Sequence, residues 1–162
     1  MKGGFSNRVV VSWRLKFYQR FALLRSLLPL NATIVCAGAR QGTEVEVLHD
    51  LGFTNAYGID LNPGPNNPYV KPGDFMNLEN KDDSVDLLYC NSVDHAFDLE
   101  KFFSEHARVI KPNGYTMYDL PRYTDRRNPG AFESVAWNSE QEVIELMQKY
   151  FKEIILTKTD HS

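Results

Sequence analysis

The segment Thr33-Ile34-Val35-Cys36-Ala37-Gly38-Ala39-Arg40-Gln41-Gly42 decides the fold of this chain. Its first half is a short run rich in β-formers that ends at Gly38. The following residues, 43–51, carry apolar side chains at helical spacing, and Gly52 comes after them as a helix cap would. A strand that passes through a glycine turn into a helix predicts the first unit of a parallel sheet.

The rest of the chain continues this alternation. Further strands are predicted at 56–60, 70–75, 84–90, 115–120 and 153–159, and helices at 98–109 and 139–150. Ser139 and Glu142 predict a capping box for the last helix, while 111–114 reads as a turn and 121–138 as a polar loop. The pattern predicts an α/β fold, with a mostly parallel sheet of about six strands and helices on both faces.

The N-terminal segment, 1–30, reads as an amphipathic helix that ends at Pro29. Its apolar stripe has helical spacing and is interpreted as a face that covers the sheet, not as a pocket for a substrate; it consists of Trp13, Phe17, Phe21, Leu24 and Leu28. The first 43 residues hold seven lysines and arginines and no acid. The favoured interpretation is a solvated helix face, and the alternative is a surface for an anionic partner.

Length and composition limit the class of protein. A chain of 162 residues, with 43% hydrophobic and 24% charged residues, predicts one globular domain over 1–162. No apolar run is long enough to span a membrane, and the net charge of −3 argues against a nucleic-acid partner. The two cysteines, Cys36 and Cys90, are too few for a disulfide scaffold and are expected to be small buried residues, with no metal site. We therefore predict a cytoplasmic location.

Candidate ligand-binding residues follow successive strands. The loop from Gly38 to Gly42 lacks a Gly-x-Gly-x-x-Gly motif, which argues against a nicotinamide dinucleotide. Asp60, at the end of the second strand, is placed to accept hydrogen bonds from both hydroxyls of a ribose, or else simply begins a turn. Asp74 and Phe75 can contact an adenine through a carboxylate and a ring. Their order along the chain is stronger evidence than any of them alone.

Residues 33–120 resemble the class I S-adenosylmethionine-dependent methyltransferases of the small-molecule type. The glycine loop, Asp60, Asp74-Phe75 and the segment Arg108-Val109-Ile110-Lys111-Pro112-Asn113-Gly114 carry the resemblance. It implies a three-layer Rossmann-like fold with a cofactor-binding core at 31–120, and a C-terminal loop, helix and strand at 121–162. It also implies S-adenosylmethionine as cofactor, bound by Gly38, Ala39, Arg40, Asp60, Leu61, Asp74, Phe75, Asn91 and Ser92.

The chain departs from this family at three places. Cys36 stands where the family usually has an acid that helps to orient the amino-acid end of the cofactor, and Arg40 stands where it usually has a glycine. No sequence remains for the seventh strand of the family's sheet. The absent acid, the missing seventh strand and the short length favour the alternative function, a non-catalytic methyltransferase-like binding or scaffold domain. A partner chain that completes the sheet is left open.

The acceptor of the methyl group is predicted to be a small molecule, for example an anionic sugar or another metabolite. Arg122, Arg126 and Arg127 follow the fifth strand, where they either bind an anionic acceptor or form a solvated loop. Asp94 and His95 are candidates for a catalytic base, although packing or helix capping is favoured for His95. The segment 91–94 differs from the Asn-Pro-Pro-Tyr loop of enzymes that methylate nucleic-acid amines. Homo-oligomerisation is left open.

Replacement of Asp60 by alanine tests the ribose-binding role. The variant should lose charge-assisted hydrogen bonds worth about 1.5–3 kcal/mol, which corresponds to a roughly ten- to hundredfold loss of cofactor affinity. Calorimetric titration with S-adenosylhomocysteine measures this loss, and circular dichroism checks that the variant is folded. Unchanged affinity in a folded variant would remove Asp60 from the site.

Overall fold

The computed structural model describes residues 7–120, 137 and 139–155, with side chains from Ser12 onward. In chain order the elements are α1 (Asn7–Phe21), α2 (Leu24–Leu27), β1 (Ile34–Ala37), α3 (Thr43–Asp50), β2 (Ala56–Asp60), β3 (Val70–Pro72), β4 (Val85–Cys90), α4 (Leu99–Val109), β5 (Ile110–Tyr118) and α5 (Glu140–Met147). A short 3₁₀ turn, Val93–His95, precedes α4.

The five strands form one parallel sheet in the order β3-β2-β1-β4-β5. β1 lies in the middle, paired with β2 through Cys36 opposite Gly58 and with β4 through Ala37 opposite Cys90. The direction of strand succession reverses between β1 and β4, and ligands of open parallel sheets bind outside the carboxyl ends of strands at such a point. The predicted parallel α/β fold is confirmed.

Alternate residues of the sheet pack into two hydrophobic clusters. Ile34 and Cys36 of β1 join one cluster with residues of α1, α2 and α3, whereas Val35 and Ala37 join the other with residues of α4 and α5. Every side chain of β1 is buried. Because successive strand residues point to opposite faces, this division produces the three layers of a helix–sheet–helix structure.

The N-terminal stripe is helical but not one continuous helix. Phe17 and Phe21 are buried and meet the ring of Tyr89 edge-on, with centroids 6.1 and 5.0 Å away. The helix breaks after Phe21 and resumes as α2 at Leu24, so the single helix predicted up to Pro29 is wrong. Despite the break, Leu24 packs in the same hydrophobic cluster as Phe17 and Phe21.

Two N-terminal cations have partners within the chain. The two terminal nitrogens of the Arg14 guanidinium lie 2.5 Å from Glu46 and 2.7 Å from Asp50, both on α3. Arg20 forms an ion pair with Asp119, which also accepts a hydrogen bond of 2.6 Å from the Tyr89 hydroxyl. These ion pairs hold α1 against the acidic remainder of the domain. Part of the positive charge that the sequence predicts for the N-terminal surface is therefore neutralised by acids of the same chain.

The predicted turn at 111–114 is part of a strand instead. β5 begins at Ile110, opposite Val85, and resumes regular pairing at Tyr115, opposite Leu87. The residues between them bulge, and a Cβ at Gly114 would lie 2.8 Å from Ile110 Cγ2. Pairing with β4 therefore prevails over the local turn preference of this segment.

The other differences concern the ends of elements. β3 stops at Pro72, so Asp74 and Phe75 lie in a turn after it and not in the strand. Ser139 precedes α5, but its side chain makes no capping hydrogen bond, so the predicted capping box is wrong. Residues 153–155 form no strand, and the rest of the predicted sixth strand lies outside the described residues. The described part of the chain thus contains five strands rather than six.

Candidate functional site

A cavity of about 710 Å³ lies at the carboxyl ends of the central strands. It brings together all the residues that the sequence proposed for the cofactor and for catalysis: Gly38, Ala39, Arg40, Asp60, Leu61, Asp74, Phe75, Asn91, Ser92, Asp94 and His95. Sequence reasoning missed other lining residues, among them Trp13, Phe17, Glu44, Met76 and Phe97. The roles of all these residues remain predictions.

The glycine loop forms one wall of the cavity. Gly38 has a φ of +71°, and a Cβ built there would lie 2.3 Å from Ser92 Oγ. The N–H groups of Gly38 and Ala39 both donate to the carbonyl oxygen of Ile59, at 2.9 and 3.0 Å. A side chain at position 38 would have to adopt the left-handed backbone conformation and displace the Ser92 hydroxyl, so glycine is favoured there.

Asp60 connects the end of β2 to this loop. One carboxylate oxygen accepts a hydrogen bond of 3.0 Å from the backbone N–H of Arg40, and the other accepts one of 2.9 Å from Asn62. Arg40 has a φ of +47°, in the left-handed region that favours glycine, so the hydrogen bond to Asp60 stabilises an unfavourable backbone conformation. Each oxygen keeps a further lone pair, and Asp60 can still accept hydrogen bonds from a ligand in the cavity.

A hydrogen bond within the turn and contacts with α4 hold the turn that contains Asp74 and Phe75. Asp74 accepts a 2.8 Å hydrogen bond from the N–H of Met76, and the Phe75 ring meets Phe102 edge-on at 5.1 Å. His106 is fully buried and lies 2.8 Å from the Phe75 carbonyl through Nε2. These contacts fix the backbone from which Asp74 and Phe75 face the cavity.

His106 holds this turn as a neutral side chain. Burial lowers its pKa to about 4, even though the hydrogen bond to Phe75 favours the charged form. The neutral ring can donate from Nε2 to the Phe75 carbonyl and accept at Nδ1 from the Tyr118 hydroxyl, 2.9 Å away. Sequence reasoning missed His106, although it lies on the apolar stripe of α4 with Phe102, Phe103 and Val109.

The segment after β4 closes the cavity opposite the glycine loop. Ser92 Oγ lies 3.6 Å from Cys90 Sγ, and the 3₁₀ turn then presents Asp94 and His95. His95 Nε2 is 3.8 Å from a carboxylate oxygen of Asp94, and the side chain of His95 is 41% exposed. An imidazole beside a carboxylate in an open position can exchange protons with solvent, as a general base must.

Glu44 is a buried acid in the first turn of α3. Only 5% of its surface is exposed, and Glu44 is one of the residues that line the cavity. Burial raises its pKa to about 8; a hydrogen bond from its own backbone N–H opposes the rise, and the charge of Asp60 adds to it. In the part of the chain that the structure describes, no basic side chain forms an ion pair with Glu44.

The N-terminal helix supplies an apolar wall. Phe17 packs under the sheet as predicted, but Phe17 and Trp13 also line the cavity, which the sequence interpretation did not expect. Trp13 is 36% exposed, and Phe97, which also lines the cavity, is 80% exposed. This end of the cavity offers aromatic surface, while the end near Asp60 and Asp74 offers carboxylates.

The other predictions from the sequence concern two cysteines, a metal site, a membrane span and three arginines. Cys36 and Cys90 are free and buried, as predicted, and burial raises the pKa of both thiols, that of Cys90 to about 12. Among the described residues no group of three or more metal-ligating side chains occurs. None of the described helices is long and apolar enough to cross a membrane. Arg122, Arg126 and Arg127 lie outside the described residues.

The buried carboxyl of Glu44 makes the stability of the fold depend on pH. An exposed glutamate in the unfolded chain ionises near 4.5, whereas the folded protein keeps Glu44 protonated up to about 8. The folded state therefore binds more protons in this window, and stability falls as pH rises through it, by at most about 1.4 kcal/mol per pH unit. Glu44→Gln should abolish this contribution.

Urea unfolding between pH 5 and pH 8 measures the effect. The free energy of unfolding of Glu44→Gln should exceed that of the wild type by a margin that grows with pH. Glu46→Gln, on the same helix but paired with Arg14 at the surface, is the matched control. Parallel pH profiles for the wild type and Glu44→Gln would contradict the assignment.

Comparison with known proteins identifies the fold. A chain in the complex between the Haloferax volcanii methyltransferase activator Trm112 and its methyltransferase is 21% identical, with a TM-score of 0.69 over 90% of this chain and 73% of that one. A SAM-dependent methyltransferase from Aquifex aeolicus is 20% identical, with a TM-score of 0.61 over 91% of this chain and 88% of that one.

A third similar solved structure belongs to a protein that is longer than this chain. It is geranyl diphosphate C-methyltransferase from Streptomyces coelicolor A3(2), in complex with Mg²⁺, geranyl diphosphate and S-adenosyl-L-homocysteine. The identity is 18% and the TM-score 0.68, over 92% of this chain and 66% of that one. These similarities establish a shared fold, and no curated protein matches the chain.

The family is established by sequence. A family described as a methyltransferase domain matches residues 35–118, which is more than half of the chain. This stretch contains β1 to β5, and with them the glycine loop, Asp60 and Asp74. The resemblance to S-adenosylmethionine-dependent methyltransferases inferred from the sequence is thereby confirmed, and with it the enzyme class and the methyl donor of that class. The chain belongs to the methyltransferase domain family.

Proposed function

We propose that this chain binds S-adenosylmethionine in the cavity beside β1 and transfers its methyl group to a small-molecule acceptor. The observation that supports this most directly is the convergence of the glycine loop, Asp60 and Asp74 on a single cavity of about 710 Å³. These three features come from separate segments of the sequence and line the same cavity, which supports a nucleoside-binding role.

The residues present fit the cofactor. Gly38 lines the cavity without a side chain, so a ligand can approach the backbone of the loop there. Asp60 has lone pairs left for the ribose hydroxyls, while Asp74 and Phe75, whose backbone His106 holds, would contact the adenine. The bound cofactor would supply a methyl group activated by its sulfonium, and the protein would supply binding and alignment.

The acceptor would approach from the side of α1 and the 91–97 segment. Trp13 and Phe97 offer apolar surface there, and Asp94 with His95 can receive a proton from an acceptor hydroxyl or amine. Arg122, Arg126 and Arg127, which follow β5 in the sequence, would bind an anionic group of the acceptor, for example that of a sugar acid or a phosphorylated sugar. A cytoplasmic location remains part of this proposal.

A non-catalytic binding domain is the second candidate. Cys36, in place of the usual acid, is the observation that favours it, because one charge expected near the cofactor is missing from β1. The Haloferax volcanii structure contains an activator protein bound to a methyltransferase, so a protein partner is a realistic alternative for members of this fold. The two candidates differ in whether the cavity binds the cofactor.

Calorimetric titration separates these candidates. Wild-type protein should bind S-adenosylmethionine and S-adenosylhomocysteine at one site per chain and should not bind NAD, because the loop lacks the dinucleotide motif. Asp60→Ala serves as the binding-site control, and Asp82→Ala, an exposed acid outside the cavity, as the surface control. A folded wild-type protein that binds neither S-adenosyl compound would refute the methyltransferase proposal.

Replacing Arg126 and Arg127 by glutamine tests the acceptor class. The double variant should raise the acceptor KM several-fold without changing cofactor affinity, and wild-type activity should fall as salt rises, because charge attraction is screened. Methyl transfer to panels of anionic and neutral acceptors provides the measurement. Arg25→Gln removes one positive charge at an exposed position outside the cavity and should change nothing. Activity on neutral acceptors alone, without a salt effect, would return these arginines to a solvated loop.

A further inference from the structure

Glu44 is a buried carboxyl group without a counter-ion among the described side chains. Ionising a carboxyl group out of water costs several kcal/mol unless a cation or several hydrogen bonds compensate the charge. Glu44 is buried, lines the cavity, and has another acid, Asp60, as the charged group that raises its pKa further. A cationic ligand group in the cavity would relieve this unfavourable arrangement.

The position of Glu44 indicates which part of a ligand it would meet. Glu44 acts electrostatically on Cys36 and Tyr89, which belong to the cluster that contains Phe17. Phe75 and Met76 belong to the other cluster, on the opposite face of the sheet. A nucleoside held by Asp60, Asp74 and Phe75 would therefore have its adenine away from Glu44 and its other end toward it.

Glu44 also lies beside the residue where the family acid is missing. The Cys36 thiol is close enough for the Glu44 charge to raise its pKa, together with the larger effect of burial. Cys36 is uncharged and buried, so β1 itself cannot supply the anion. α3 begins directly after the glycine loop, and its first turn contributes the carboxyl group of Glu44 to the lining of the same cavity.

We propose that Glu44 binds the α-ammonium group of the cofactor and supplies the negative charge that Cys36 does not. This inference rests on the proposed function, because it takes S-adenosylmethionine as the ligand. The ammonium carries N–H donors for the carboxylate, whereas the sulfonium has none. Glu44 is thus a residue that orients the cofactor, since fixing the ammonium fixes the chain that leads to the sulfur.

The Glu44 carboxyl must lose its proton before it can form this ion pair. In the empty protein the Glu44 carboxyl is largely protonated at pH 7, and on binding it would lose its proton to the buffer while the ammonium keeps its own. The other charged or titratable residues that line the cavity are Arg40, Asp60, Asp74, Asp94 and His95, and Cys36 and Tyr89 lie near enough to Glu44 for its charge to act on them. A comparison of ligands with and without the amino-acid end separates Glu44 from these groups.

Calorimetry with two ligands tests the inference. S-adenosylhomocysteine carries the ammonium, whereas 5′-methylthioadenosine keeps the adenosine and sulfur but lacks the amino-acid end. Glu44→Gln should weaken S-adenosylhomocysteine by about ten- to hundredfold and leave 5′-methylthioadenosine within about twofold. Glu46→Gln, two residues along the same helix and outside the cavity, should leave both affinities unchanged.

Proton release provides a measurement that needs no variant. Titrations at pH 7 in buffers of different ionisation enthalpy should show protons released when wild-type protein binds S-adenosylhomocysteine, and none when it binds 5′-methylthioadenosine. Glu44→Gln should release none with either ligand. If Glu44→Gln did not fold, the difference between the two ligands in the wild type would still decide the question.

The outcomes separate this inference from the proposed function. If the wild type binds neither ligand, both are refuted. If it binds both, but Glu44→Gln weakens them equally or not at all, only the role of Glu44 is refuted. A loss that is much larger for S-adenosylmethionine than for S-adenosylhomocysteine would place the carboxylate at the sulfonium, which also overturns the assignment to the ammonium.

Discussion

The absence of a side chain at Gly38 is the constraint on which the site depends. Gly38 has a φ of +71°, a conformation that other residues rarely adopt, and a Cβ there would lie 2.3 Å from Ser92 Oγ. In this conformation the loop donates the N–H groups of Gly38 and Ala39 to Ile59, and the N–H of Arg40 to Asp60. The chain turns here from the end of β1 toward α3, and Gly38, Asp60 and Glu44 all line the cavity at this turn.

The sequence predicted the central sheet because its signals are local. The runs at β1, β2 and β4 are apolar, short and bounded by glycine or polar residues, and parallel pairing then places their ends at one edge. For that reason the acids at strand ends could be assigned to one site before any geometry was known. The strand through 111–114 could not, because Pro112, Asn113 and Gly114 have the chemistry of a turn and only pairing with β4 overrides it.

Glu44 and His106 were not predicted as residues of the site, and the reason is a different one. An acid in the first turn of a helix is ordinary, since it complements the helix dipole, and only tertiary packing shows that Glu44 is buried. His106 did leave a signal, a polar residue on the apolar stripe of α4, but its partners Phe75 and Tyr118 come from distant segments. The hydrogen-bond partners of a buried polar group come from other parts of the fold. The spacing of residues within one helix or strand therefore does not reveal them.

The aromatic wall formed by α1 has an evolutionary consequence. The region shared with the family covers 35–118, so Trp13 and Phe17 lie outside it, while the glycine loop, Asp60 and Asp74 lie inside. α1 is fastened by side-chain contacts, the Arg14 pairs and the packing of Phe17 and Phe21 on Tyr89, and not by strand pairing. A lineage could therefore change the aromatic wall of the cavity by exchanging an appended helix, while the strands and loops shared with the family stay the same.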